Sequence, residues 1–329
     1  MKSKTRHLCN YCFMPGHEQD ILETGKTLEQ FVAALGLDGI ELLVYRNEPY
    51  FESFEHIAVG VHLNYWPTWL GMYRNDKAAL QQCFGSREAV RAYYGSAYCL
   101  GWLRCIRANI KAALVEKPQY LVWHVAECTV EETFTFAFAH SDLEVVTAAA
   151  AVFNRVADKI PEDVLVLFEN LWWPGLRLTD PKVVSSFFAR LKHKNVGIML
   201  DTGHLLNTNP DLQTEQEGIE YILKTVKALG PNKKLIRGLH LNCSLSGAYV
   251  KSFERRYDAN STNIDRMKHV IKIDQHRPFT NTAVQQLLQL IKPDYVVHEL
   301  AYTDFCDFEN NIRTQLTACG HLPPVDGGG

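Results

Sequence analysis

In the stretch VGIMLDTGH, Val196 to His204, an apolar run ends abruptly on a carboxylate, Asp201, and an imidazole, His204, follows three residues later. The pattern recurs. IAVGVHL brings His62 to the end of an apolar run, YLVWHVA brings His124, VLVLFE ends on Glu169, LIRGLHL carries His240 and YVVHEL carries Glu299. Beyond LIRGLHL, the sequence DQH adds Asp274 and His276, alternating residues that can face one point. One histidine near the end of an apolar run is ordinarily a hydrogen-bonded structural residue; six runs ending alike call for a common cause. Glu169 and Asp201 are the strongest candidates, because a charged side chain closing a buried run needs a partner. Carboxylates gathered in a confined place are disfavoured unless a cation balances them. Four carboxylates and five imidazoles, with no cysteine among them, suit Zn²⁺ or Mn²⁺ better than Ca²⁺ or Mg²⁺.

Other candidates are weaker. His298 adjoins Glu299, should face the opposite way, and is read as structural. His7, His17, His56, His140, His193, His269 and His321 fit no strand-end pattern. Arg177 and Arg237 are read as solvated or paired rather than as anion contacts. Cys9 and Cys12 form a lone C-x-x-C with no second pair nearby, read as two partly buried thiols on a strand. Aromatic residues cluster after two of the runs: Tyr65, Trp66 and Trp69 in HLNYWPTWLGMY, and Trp172 and Trp173 in ENLWWPG. Indoles stack on sugar faces or bases as well as packing loops. Tyr65, Trp66, Trp172 and Trp173 are therefore candidate substrate contacts.

The elements that must position these groups alternate. Candidate strands lie at 7–13, 39–45, 57–63, 120–126, 164–169, 196–201, 235–241 and 295–300, each a nearly continuous apolar run, as expected of strands buried on both faces. Helical patterns separate most of them: TLEQFVAALG, a long stretch from Ser86 to Lys117, SDLEVVTAAAAVFNRVADK, DPKVVSSFFARLKHK, TEQEGIEYILKTVKAL and NTAVQQLLQLI. Eight such units at this length predict an α/β protein of one closed (β/α)8 TIM barrel over 1–322, with 323–329 a flexible tail. No G-x-G-x-x-G follows an early strand, which disfavours an open dinucleotide-binding sheet. YRNEPYFESFEH is too short and interrupted for a full helix. The connection after strand 7, from Leu241 to about Thr280, far exceeds the usual βα loop of ~2–6 residues. Its segment KSFERRYDANSTNIDRMKH reads as charged and mobile.

Composition sets outer bounds. The 329 residues are 47% hydrophobic and 22% charged, with a net charge of −3, ordinary values that give no sign of a bulk polyanion binder. No run approaches the ~18 apolar residues of a membrane span. Nine scattered cysteines, and an N-terminal stretch with no apolar core for a signal peptide, lead us to expect a cytoplasmic protein.

The order FEN, LDTGH, HLN and VVHEL, at barrel-like spacing from GLDGIELLVY to YVVHEL, resembles the xylose isomerase-like barrel superfamily, which includes sugar isomerases and epimerases and the endonuclease IV family of apurinic endonucleases (AP endonuclease family 2). The resemblance implies that Glu169, Asp201, His240 and Glu299 bind a catalytic divalent ion. The endonuclease branch adds ligands for two further zinc ions, matching His62, His124, His204, Asp274 and His276. One to three ions are thus implied. FENLWWPG replaces the small glycine-rich turn expected after that glutamate in the nucleases, HLNCSLSG lacks their acid–lysine pair, and DQHRPF lacks their glycine. The GE…R pattern of the epimerases is also missing. Three functions follow. The first is a sugar or sugar-phosphate isomerase or epimerase acting through an enediolate, with Glu169, Glu299 and His204 catalytic and a small carbohydrate-like substrate. The second is a zinc-dependent phosphodiesterase, the only reading with a nucleic-acid partner. The third is a barrel that binds without catalysis. The aromatic loops and the absent nuclease flanks favour the first.

Overall fold

The eight apolar runs form parallel strands in a computed structural model that describes residues 4–13, 21, 23–45, 47–50 and 53–322. They are β1 (Arg6–Cys12), β2 (Gly39–Val44), β3 (Ala58–Leu63), β4 (Tyr120–His124), β5 (Leu165–Glu169), β6 (Val196–Asp201), β7 (Ile236–Leu241) and β8 (Tyr295–His298). Each pairs with its sequence neighbour, and β8 pairs with β1, closing the barrel. The side-chain period of two sorts each strand into two faces. Leu121, Val166, Phe168, Ile198, Leu200, Leu239 and Val296 belong to the large core between sheet and helices. The alternate residues Leu8, Tyr120, Val122, Leu165, Leu167, Met199 and Val297 form a second cluster, which fills the barrel.

The helices form the outer layer: α1 (Leu28–Ala34), α2 (Leu70–Arg74), α3 (Lys77–Phe84), α4 (Arg87–Tyr94), α5 (Cys99–Leu114), α6 (Val130–Thr135), α7 (Asp142–Val156), α8 (Pro181–Phe188), α9 (Thr202–Leu206), α10 (Glu215–Ala228), α11 (Gly247–Ser252), α12 (Asn263–Ile273), α13 (Val284–Ile291) and α14 (Phe305–Ala318). Their starts follow the sequence. α1, α6, α7, α10 and α12 each open on a reciprocal capping box, such as Ser141 with Glu144 at α7, each cap being worth about 1 kcal/mol. The helical stretch expected from Ser86 to Lys117 is two helices, because Gly95 takes a left-handed φ of 74° and ends α4. Between β2 and β3 the described residues form no helix.

The connection after β7 departs from the expectation of a mobile loop. It contains α11 and α12, and several of its charged residues are engaged. Arg255 lies over the Phe136 ring at 4.0 Å, Arg266 donates to the Tyr257 hydroxyl at 2.8 Å, and Lys251 pairs with Asp211 at 2.6 Å. His269, on α12, bonds the Tyr249 hydroxyl on α11 at 2.8 Å and the Thr133 carbonyl on α6 at 2.9 Å. Charge in the sequence signalled a solvated segment; cation–π and hydrogen-bond partners contributed by other loops order it. The expected tail, 323–329, lies outside the described residues, as does His17. No helix among the described residues is long and apolar enough to cross a membrane.

Candidate metal centre

The strand-end residues all belong to the inward-facing set. His124, Glu169 and Asp201 share parity with the barrel-filling residues of their strands, Glu299 follows β8 at the same parity, and His62 and His240 alternate with Val61 and Leu63, and with Leu239 and Leu241, of the outer core. The ladders set His124 beside Glu169 and Asp201 beside His240. Glu169 is the hub. Its Oε2 lies 3.1 Å from His62 Nε2 and 3.0 Å from His124 Nε2, and its Oε1 lies 3.2 Å from both His204 Nδ1 and His240 Nδ1. His240 Nδ1 also meets Glu299 Oε2 at 2.9 Å. Asp274 Oδ2 lies 3.2 Å from His204 Nε2 and 2.9 Å from His276 Nε2. The nine residues therefore meet in one cluster.

Local sequence explains the placement. Asp201 ends β6 and caps α9, one oxygen accepting from the His204 amide at 2.6 Å and the other from Asn242 Nδ2 at 2.9 Å. This answers why an apolar strand ends on an aspartate with a histidine three residues on: the first turn of α9 carries the imidazole back over the strand end. Gly203 permits the approach, since a Cβ there would lie 1.8 Å from Asn242 Oδ1. Asn170, just beyond β5, brackets Asp201, accepting from its amide at 2.9 Å and donating to its carbonyl at 3.0 Å. His276 holds a left-handed φ of 46°, a conformation costing a non-glycine residue roughly 1–2 kcal/mol. Ser244 Oγ offsets this by accepting from the amides of Gln275 and His276, at 2.9 and 3.2 Å.

The nitrogens bear on what lies between these side chains. His62, His204 and His276 each direct Nδ1 to a backbone carbonyl, of Leu63, Asn170 and Glu299, at 3.1, 2.8 and 3.0 Å. A carbonyl only accepts, so Nδ1 carries the proton in each. Nε2 then faces a carboxylate, and the contact is attractive only if the ring is doubly protonated or a cation lies between the two. Without a cation, burial would lower these imidazoles, but facing carboxylates outweigh it: Asp201 and Asp274 hold His204 well above its usual range, and Asp274 lifts His276 to about 10. Burial raises the acids, yet His124 and His240 hold Glu169 well below the usual carboxylate range, and His240 brings Glu299 to about 2. Burial wins at Asp201, pushed up to about 7, and at His124, which is lowered.

A divalent ion fits this donor set. Glu169 Oε1, His240 Nδ1, Glu299 Oε2, Asp274 Oδ1 and His124 Nδ1 are buried without a hydrogen-bond partner, an arrangement that costs free energy unless something else binds them. Four groups bring their donor atoms within 4.8 Å of one another: Glu169, Asp201, His240 and Glu299; His62, His124 and Glu169; Asp201, His204 and His276; and Glu41, His62 and His240.

A cavity of about 410 Å³ opens onto the cluster, lined among others by His62, His124, His204, Asp274, His276 and Glu299. Tyr65, Trp172 and Trp173 line it too; the Tyr65 ring lies 4.4 Å from that of His124, and Trp172 5.2 Å from that of His204. Gly175 seats the tryptophan loop, since a Cβ there would lie 2.3 Å from the Val125 carbonyl oxygen. Trp66 points elsewhere. Its Nε1 donates to the Tyr93 carbonyl at 3.1 Å, and it lines a neighbouring pocket with Trp69 and Trp102. Arg177 is paired with Asp142 and Arg237 with Asp294. His298 faces outward, bonded to His7 and Gln315 at 3.1 and 2.9 Å. Cys9 is buried and Cys12 lines the cavity.

Strand-end reasoning missed Glu41. It lies within β2 and is 2% exposed, accepting from His240 Nε2 at 2.9 Å and from the Tyr120 hydroxyl at 2.7 Å. The signal was available: a lone carboxylate inside GIELLV, at inward parity.

No family model matches the chain, and no curated protein matches it by sequence. Solved structures do. The chain is similar to a putative xylose isomerase from Rhodospirillum rubrum ATCC 11170, with a TM-score of 0.53 at 12% identity, covering 97% of this chain and 100% of that one. It is similar to endonuclease IV from Thermus thermophilus, with a TM-score of 0.50 at 13% identity over 96% of this chain and 100% of that one. It is also similar to D-psicose 3-epimerase in the presence of D-fructose, with a TM-score of 0.50 at 13% identity over 95% and 97%. These structures share the fold of this chain, a closed (β/α)8 barrel.

Proposed function

We propose that this xylose isomerase-like barrel is a divalent-metal-dependent enzyme that isomerises or epimerises a small carbohydrate-like substrate. The observation that carries the reading is the 410 Å³ cavity that Glu299 of the Glu169, Asp201, His240 and Glu299 group lines together with His62, His124 and His204, and that Tyr65, Trp172 and Trp173 wall. That size suits a small ligand, and aromatic walls suit the C–H face of a sugar ring. An ion held by the four residues would polarise a substrate carbonyl and acidify the adjacent C–H. Glu169 and Glu299, both held as carboxylates, flank His240 Nδ1 at 3.2 and 2.9 Å. One accepts the proton from carbon while the C–H electron pair moves into the carbonyl, leaving an enediolate. Returning the proton to the former carbonyl carbon, with the hydroxyl proton passing between the two oxygens, gives the isomer; returning a proton to the original carbon from the opposite face gives the epimer. His204 orients a substrate oxygen, and the tryptophans exclude water.

A second reading, phosphodiester hydrolysis with two or three zinc ions, draws on the two further groups around Glu169 Oε2 and Asp201. The engagement of Arg255, Arg266 and Lys251 within the fold weighs against it, because those cations are already partnered.

Elemental mass spectrometry of the purified chain, together with deuterium uptake into a panel of ketoses and their phosphates, tests the proposal. One ion per chain and solvent exchange at the carbon next to the carbonyl are expected. Two or three zinc ions, with phosphodiester turnover and no exchange, would replace it with the second reading.

A further inference from the structure

Among the imidazoles of the cluster, His240 is reversed. His62, His204 and His276 give Nδ1–H to a backbone carbonyl and turn Nε2 inward, whereas His240 sends Nε2 toward Glu41 and presents Nδ1 to Glu169 and Glu299. Its Nδ1 is buried without a hydrogen-bond partner. We propose that Glu41 is a positioning residue that fixes His240 with Nε2 protonated and anchored in the barrel, so that Nδ1 is the nitrogen offered to the metal group.

Glu41 is itself held. Its Oε1 takes the His240 bond at 2.9 Å, and its Oε2 accepts from the Tyr120 hydroxyl at 2.7 Å. Tyr120 is fully buried and can lie there because β3 supplies Gly60: a Cβ at that position would fall 2.0 Å from the Tyr120 Cζ. A gap on β3 thus admits a phenol from β4, which fixes a carboxylate on β2, which fixes an imidazole on β7. With Oε2 accepting from Tyr120, Glu41 Oε1 accepts from His240 Nε2–H, which leaves Nδ1 as the nitrogen turned to the metal group. Such a partner also raises the basicity of the ligating nitrogen.

The inference rests on the proposed function only where it concerns an ion, so two readouts are needed. In protein selectively labelled with ¹⁵N-histidine, His240 Nε2–H is expected as a downfield, slowly exchanging signal, assigned by its absence in His240→Gln. It should persist in Glu41→Gln, whose amide oxygen still accepts, and disappear in Glu41→Leu. A His240 Nε2–H signal unchanged in Glu41→Leu overturns the proposal, whether or not the chain binds metal. For the second readout, Zn²⁺ titration of apo-protein should give affinity about 10–100-fold weaker in Glu41→Gln at unchanged stoichiometry. Unchanged affinity overturns the proposal, and the loss of one ion per chain overturns it by making Glu41 a ligand. Absence of any divalent binding in the wild type sinks the metal reading but leaves the first readout decisive. Glu41→Gln preserves volume and hydrogen bonding, so it remains informative if Glu41→Leu fails to fold.

Discussion

Asp274 separates the two enzymatic readings better than any residue of the four-member group. Its Oδ2 is shared between His204 and His276, its Oδ1 is buried without a partner, and it lies at the end of α12 rather than on a strand. For an isomerase working through Glu169 and Glu299, Asp274 only steadies His204. Asp274→Ala is then expected to lower kcat by no more than about tenfold. If the chain is a multi-zinc hydrolase, the same change removes a ligand, and turnover is abolished. Steady-state kinetics of the variant, on whichever substrate shows turnover, decides between these outcomes.

At the scale of elements, the barrel mouth is held by carboxylates that join one loop to another. Glu127, just beyond β4, accepts from the amides of Trp69 and Leu70 at 2.8 and 3.0 Å and so ties the start of α2 to the β4 loop. Burial, opposed by those two amides, pushes its carboxyl up to about 8, against an ordinary 4.5. A pKa raised by folding means the native state favours the protonated form. The corresponding stability is complete below about pH 4.5 and is lost as pH rises through about 8. Glu127→Gln keeps the acceptor and cannot ionise. Its melting temperature should therefore match the wild type near pH 5 and exceed it increasingly from pH 6 to 9, as thermal denaturation across that range will show. A constant difference would mean that Glu127 does not ionise on this schedule.

At the scale of the whole molecule, the cluster concentrates buried charge on the barrel axis, and the fold tolerates it only with compensation. An ion that binds the native state alone stabilises it by about 2.7 kcal/mol at a hundred times its Kd, which moves the melting temperature of a chain this size by roughly 4 °C. Chelator treatment should lower the melting temperature on that scale, and Zn²⁺ or Mn²⁺ should restore it in calorimetry. A chelator-treated protein that melts unchanged would mean that protonated imidazoles alone balance the carboxylates.

The sequence by itself determined the barrel and most of its mouth. Strands buried on both faces need continuous apolar runs, and the rare polar residues at their ends, His62, His124, Glu169, Asp201 and His240, stand out against that background. Such signals are local, one residue against its immediate neighbours. Tertiary structure alone decided what depended on distant partners. The segment after β7 reads as loop because its charges are neutralised by rings and carboxylates from other connections. Trp66 reads like Trp172, yet the β3 loop turns it toward Trp102, away from the mouth. Glu41 was visible as a misplaced carboxylate, but its role exists only where β2, β4 and β7 converge. Which nitrogen of each histidine faces the cluster was likewise undecidable from residue type, because it is set by whichever acceptor the closed barrel brings to the other side of the ring.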